Sequence, residues 1–113
     1  MVWRKFFLMD APKAREGHAL AKINKEVYLY GGKNGVTLFD DLWRFDLENV
    51  QWTSSSKQSD LIGAVSEKMS QNGTSPGKIA DHSMIGDSEN QCLLLFKDFN
   101  SIFIFDVRKS MWT

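Results

Sequence analysis

The chain has one cysteine, Cys92, in 113 residues. No intrachain disulfide can form, which suits a reducing compartment such as the cytoplasm. Charge of either sign is not in excess: fourteen basic and fourteen acidic residues cancel. The basic stripe that nucleic acid or an anionic membrane would require is therefore missing. Long hydrophobic runs are also missing. Residues 92–96 and 102–105 are the longest, far short of a bilayer span. The apolar stretch at 6–9 is too short for a signal-peptide core, and no small-residue cleavage site follows it. Only two prolines occur, Pro12 and Pro76. What is present is apolar and aromatic: 42% of the residues are hydrophobic and 12% are Phe, Trp or Tyr, which excludes a disordered segment. The length allows one domain at most.

The two prolines open two segments that match each other. Residues 12–53 read P-K-A-R-E-G-H-A-L, then V-Y-L-Y-G-G-K, then D-L-W-R-F-D-L-E-N-V-Q-W-T. Residues 76–113 read P-G-K-I-A-D-H-S-M, then C-L-L-L-F-K-D, then S-I-F-I-F-D-V-R-K-S-M-W-T. His18 and His82 each lie six residues after the proline, and Trp52 and Trp112 each lie six after an aspartate, Asp46 and Asp106. A period of this size built from short strands marks a β-propeller array.

His18-Ala19-Leu20, Tyr28-Leu29-Tyr30-Gly31-Gly32, Asp41-Leu42-Trp43-Arg44-Phe45-Asp46 and Trp52 together resemble a complete kelch repeat. The second unit resembles the same family through Asp106 and Trp112, but has Phe96-Lys97 where the family has its glycine pair. Trp3 resembles the tail of a further unit. The resemblance implies an all-β fold: two adjacent four-stranded antiparallel blades of a kelch propeller, as in the central domain of galactose oxidase, with the ring incomplete. The expected divisions are a strand-four remnant over 1–11, repeat one over 12–53, a long flexible inter-blade loop over 54–75, and repeat two over 76–113.

Within repeat one, strands are expected at 18–23, 27–30, 42–47 and 50–53, with a polar turn at Asn24-Lys25-Glu26. Trp43 and Phe45 alternate with Leu42 and Arg44. In repeat two, Phe103, Phe105 and Val107 share one face while Ile102 and Ile104 occupy the other. Apolar residues on both faces fit a sheet sandwiched between two others. Helical signal is confined to 61–69. In a four-stranded meander the chain changes ends with each strand. The loops at 33–39 and 97–100, the long connector and the approach to strand one therefore emerge on one rim. Loops on a rigid scaffold are where binding residues concentrate.

Each candidate site has a plainer structural reading. Gly31-Gly32-Lys33-Asn34-Gly35 lacks the Lys-Ser/Thr step and the following helix of a phosphate loop, so the glycines are read as permitting a bend and a close approach. His18 and His82 recur with the scaffold and have no companion ligands at metal spacing. Trp52 and Trp112 are read as packing residues between blades. Asp46 and Asp106 are read as turn acceptors. Cys92 is read as an inert thiol in a strand, and Asn72-Gly73-Thr74 is a formal glycosylation acceptor, meaningful only in a secreted parent. Ser75-Pro76 would suit a proline-directed kinase. Arg15, Lys33, Asn34, Lys97, Asp98 and Asn100 are the partner-binding candidates, on the shared rim.

No catalytic residue, metal or cofactor is assigned. The reading is a non-catalytic protein–protein interaction module of kelch type, an adaptor or scaffold, expected to be a fragment of a larger propeller. The alternatives are a propeller-type enzyme, such as an oxidase or sugar isomerase, and a structural remnant without separate activity. Propellers close with about four to eight blades. Self-association or further kelch repeats would supply the missing ones.

Overall fold

The computed structural model describes residues 12–46, 65–98 and 101–113. Among them every regular element is a strand. Trp3, the strand expected at 50–53 with Trp52, the first half of the inter-blade loop and Asn100 lie outside the described residues.

The first sheet is built from β1 (Ala19–Ile23), β2 (Glu26–Tyr30), β5 (Leu42–Asp46) and β6 (Val65–Lys68), in the order β1-β2-β5-β6 and antiparallel throughout. Between β2 and β5 the chain makes a small hairpin, β3 (Lys33–Asn34) with β4 (Thr37–Leu38). The β1–β2 connection is two residues long, and Asn24 takes a φ of 54°. Asn is among the few side chains that tolerate this left-handed conformation, which the tight hairpin twist demands.

Two expectations change here. The strand that pairs with β5 is Val65–Lys68, from the stretch read as flexible loop, and its described residues are extended rather than helical. The pairing sets Glu67 opposite Arg44, whose guanidinium also reaches Glu26 Oε2 at 2.9 Å, so one cation holds carboxylates on both flanking strands. Cross-strand charge pairs of this kind favour one register over its neighbours.

The second sheet comprises β7 (Asn72–Gly73), β8 (Ser83–Asp87), β9 (Cys92–Asp98), β10 (Ser101–Asp106) and β11 (Met111–Trp112), in the order β7-β11-β10-β9-β8. Four strands form the antiparallel meander. β7 is a fifth, also from the expected loop, and lies parallel to β11 at the outer edge.

The core lies between the sheets. Ala19, Ala21, Ile23, Tyr28, Tyr30 and Leu42 from the first meet Met84, Leu93, Leu95, Phe105 and Trp112 from the second. Tyr30, Phe103 and Phe105 surround the Trp112 indole in edge-on or tilted contacts, with centroids 5.0–6.5 Å apart. The inner strands β1 and β8 approach closely, because Gly86 has no side chain. A Cβ there would run into the Lys22 carbonyl and stand 2.9 Å from Ile23 Cγ1. The other face of the second sheet, carrying Ile85, Ile102 and Ile104, is exposed. The architecture is thus two adjacent blades of an all-β fold, without ring closure among the described residues.

Candidate functional site: a polar rim spanning both blades

The rim is created where β2 ends. Gly31 (φ 71°) and Gly32 (φ 109°) turn the chain out of the sheet through conformations that favour glycine. The segment leading into β8 is laid across the opening. Gly32 N–H donates to the Ile79 carbonyl (2.8 Å), Ile79 N–H donates to the Phe39 carbonyl (3.2 Å), and His82 Nε2 donates to the Tyr30 carbonyl (2.8 Å). A Cβ on Gly31 would stand 2.7 Å from both His82 Cε1 and the Ile79 oxygen. The glycine pair therefore serves the seating of the second repeat on the first. After Lys33 the chain enters the β3–β4 hairpin, without the helix a phosphate loop needs.

Arg15 stands apart from the other rim candidates. Its guanidinium makes a bidentate pair with Asp41, Nη1–Oδ1 at 2.5 Å and Nη2–Oδ2 at 2.9 Å, and donates to the Gly31 carbonyl at 3.0 Å. It also lies 4.1 Å over the Phe39 ring, and its side chain is only 3% exposed. Such planar, delocalised recognition suits arginine and removes it from solvent. Arg15 is thus a latch between the approach to β1 and the approach to β5, not a group a partner can reach. Burial would raise the Asp41 pKa. The Arg15 and Trp43 Nε1 hydrogen bonds overcome that and hold it below the usual carboxylate range. Sequence reading took Asp41 only as part of the repeat pattern, since nothing local marks it as the partner of a residue 26 positions earlier.

The remaining described candidates, Lys33, Asn34, Lys97 and Asp98, gather at the same end. Lys33 and Asn34 form β3, bridged to Glu16 by two backbone hydrogen bonds of 2.8 Å, and with Arg15 they line a shallow cleft of about 240 Å³. At the hairpin tip Val36 is fully exposed (100%). Lys33 Nζ is 3.8 Å from Asp81 Oδ2, an ion pair that joins the first repeat's rim to the second. Asp81 in turn lines a larger groove, about 690 Å³, with His82, Ser83, Phe96, Lys97, Asp98 and Ile102. Lys97 Nζ donates to the Pro76 carbonyl at 3.0 Å while its side chain stays exposed. Asp81 was not singled out from sequence. Its φ of 63° is a structural feature that composition does not reveal.

The repeat-signature residues are dispersed. His18 is exposed, and His82 is half-buried with its Nδ1 buried and unpartnered. Burial pushes the His82 pKa below its ordinary value. Asp106 Oδ1 accepts the Lys109 N–H at 3.1 Å, Asp46 ends β5, and Trp112 Nε1 donates to Gln71 Oε1 at 2.8 Å from inside the core. Among the described residues no three His, Cys, Asp or Glu side chains converge as a metal site would require. No helix there is long and apolar enough to cross a membrane.

Residues 14–57 match the family profile of the Kelch motif. Kelch domain-containing protein 10 of Xenopus tropicalis is 45% identical over 42 residues, covering 37% of this chain and 10% of that protein. The Rho GTPase-activating protein gacHH of Dictyostelium discoideum is 34% identical over 58 residues, or 51% of this chain and 4% of the relative. Tip elongation aberrant protein 3 of Schizosaccharomyces pombe is 35% identical over 52 residues, or 45% and 5%. The matched segment spans a tenth or less of the length of these relatives. With its His18-Ala19-Leu20 start, its Gly31-Gly32 turn and its Asp41 to Asp46 strand, this segment carries a kelch motif.

Proposed function

We propose that the chain is a non-catalytic protein-binding module, an adaptor or scaffold of the cytoplasm, which offers its rim to a partner protein. The observation that supports this most is the continuity of exposed polar groups across two repeats. Lys33 and Asn34 on the β3–β4 hairpin connect through Asp81 to the groove bearing Lys97 and Asp98. Mixed charge around an exposed apolar tip, Val36, is the composition of a protein-recognition patch rather than of an anion or nucleic-acid site. The relatives have diverse names, among them a Rho GTPase-activating protein. The part matched is too small to carry that activity across, and a recognition role common to kelch repeats is the reading adopted for this chain.

The test is an affinity capture with the whole chain as bait, quantified by mass spectrometry. A Lys33→Ala, Asn34→Ala, Val36→Ala triple variant is expected to lose its captured proteins at least tenfold, while Lys109→Ala, outside both rim clefts, retains them. Equal capture by the triple variant and the native chain would defeat the rim assignment.

A further inference from the structure

The two repeats correspond residue by residue. Ala19 pairs with Tyr30 as Ser83 pairs with Phe96, and Tyr30 pairs with Leu42 as Phe96 pairs with Ile102. Ala19, Ala21, Tyr28, Tyr30 and Leu42 therefore correspond to Ser83, Ile85, Leu94, Phe96 and Ile102. The first set is buried, because the second sheet lies on it. In the second set Ile85 is 53% and Ile102 55% exposed. The opposite faces show the converse. Met84 is buried against the first sheet, whereas its equivalent, Leu20, is 54% exposed. The chain thus carries both halves of the contact it makes internally: the half on the second sheet is open at Ile85 and Ile102, and the half on the first sheet is open along β1, at Leu20 and Lys22.

Charge at the open halves is complementary. Inside the chain, Gly86 on β8 packs against Ile23 on β1. Their repeat equivalents are Lys22 and Asp87, so the same contact made between molecules would bring an ammonium to a carboxylate. Lys22 is exposed, and Asp87 is held ionised below its usual range by the side-chain and backbone hydrogen bonds of Asn90. A net charge of zero adds no global repulsion between copies.

We propose that a second copy of this chain docks head to tail, setting Leu20 and Lys22 of its β1 against Ile85 and Asp87 of β8. The contact centres on these inner strands. Leu29 and Trp43, on the same face as Leu20, are already buried within the chain. By strand register Lys97 and Asp98, not the Phe96-Lys97 pair the sequence pattern suggests, stand where Gly31 and Gly32 receive His82, so the His18 of an incoming copy does not seat as His82 does. Lys22 has a Cβ where Gly86 has none, so the copies stand farther apart than the two sheets within one chain. Such a contact is heterologous. It closes into a ring if the rotation permits and otherwise continues as a filament.

Sedimentation velocity over a range of concentrations, with light scattering, tests this on the full chain. Native chain is expected to form species above the 12.9 kDa monomer in a concentration-dependent manner. Leu20→Glu and Ile85→Asn alter exposed positions on opposite halves without creating an opposite-charge pair, and each alone is expected to be a folded monomer, checked by circular dichroism. Mixed in equal amounts, they retain one intact pair of halves and are expected to form a dimer that grows no further. A native chain that stays monomeric, a mixture that stays monomeric, or a Leu20→Glu variant that assembles like the native chain would each overturn the proposal. The last of these would indicate a two-fold pairing of the isoleucine faces instead.

Discussion

His82 Nε2 donates to the backbone carbonyl of Tyr30 at 2.8 Å, so a side chain of the second repeat completes the last hydrogen bond of the first repeat's second strand. The other ring nitrogen is buried without a partner. A proton added there would find no acceptor, which is the physical content of the lowered pKa. Asp81 acts in the opposite sense and His18 in the same sense, but burial is the larger effect.

The sign of the resulting pH dependence is fixed. The folded-state pKa lies below the unfolded value of about 6.5, so the unfolded chain takes up the proton first on acidification. Stability contributed by neutral His82 is therefore complete above pH of about 6.5 and declines as pH falls through that value toward the depressed folded pKa. Urea denaturation between pH 7.5 and 5 is expected to show this decline, and His82→Gln to flatten it. A native chain with constant stability over that range would contradict the burial account.

Arg15→Ala is expected to destabilise the fold by on the order of 3 kcal/mol, because it leaves Asp41 partly buried without its cation. Arg15→Lys keeps the charge but loses the planar two-point geometry, and its cost should fall between native and alanine. Chemical denaturation of the three proteins gives the order directly.

Gly86→Ala adds only a methyl group, yet the Lys22 carbonyl already occupies that space. Gly86 does not have a positive φ, so the cost is steric rather than conformational. Separation of β1 from β8 should cost about 1–3 kcal/mol, as overpacking does. A thermal melt unchanged by the substitution would show that the two inner strands are less closely apposed than described.

Trp112 is almost fully buried among Tyr30, Phe103 and Phe105. Trp112→Ala is expected to cost about 3–5 kcal/mol, a large share of the 5–15 kcal/mol that typically holds a domain together. Trp112→Phe retains most of the packing but loses the hydrogen bond to Gln71, about 1 kcal/mol. Far-UV circular dichroism during urea titration separates the two.

Sequence pattern sufficed for the strands that carry apolar alternation. β1, β2, β5, β9 and β10 coincide with apolar runs bounded by turn residues, whereas β8, Ser83–Asp87, is marked only by its place in the repeat. β6 and β7 were illegible for a physical reason. Val65-Ser66-Glu67-Lys68 has one apolar residue, and Asn72-Gly73 has none. They are strands because β5 and β11 offer open edges and because Arg44 and Ser110 supply partners. The rim was legible as topology, through the alternation of chain direction. Which of its charges were available was not, since the removal of Arg15 by Asp41 depends on the Phe39, Gly31 and Trp43 surroundings assembled only in three dimensions.

The polypeptide that follows β7 leaves the outermost edge of the second sheet and reaches its innermost strand, β8, after residues 74–82. It crosses about four strand spacings, roughly 19 Å. On the way Gly77 accepts the Tyr30 hydroxyl, Pro76 accepts Lys97, and Asp81 N–H donates to Gly17. This crossing strap ties periphery to centre like a cord drawn over the end of a bundle. A protease cut within the strap would uncouple the edge strand β7 from the inner strand β8.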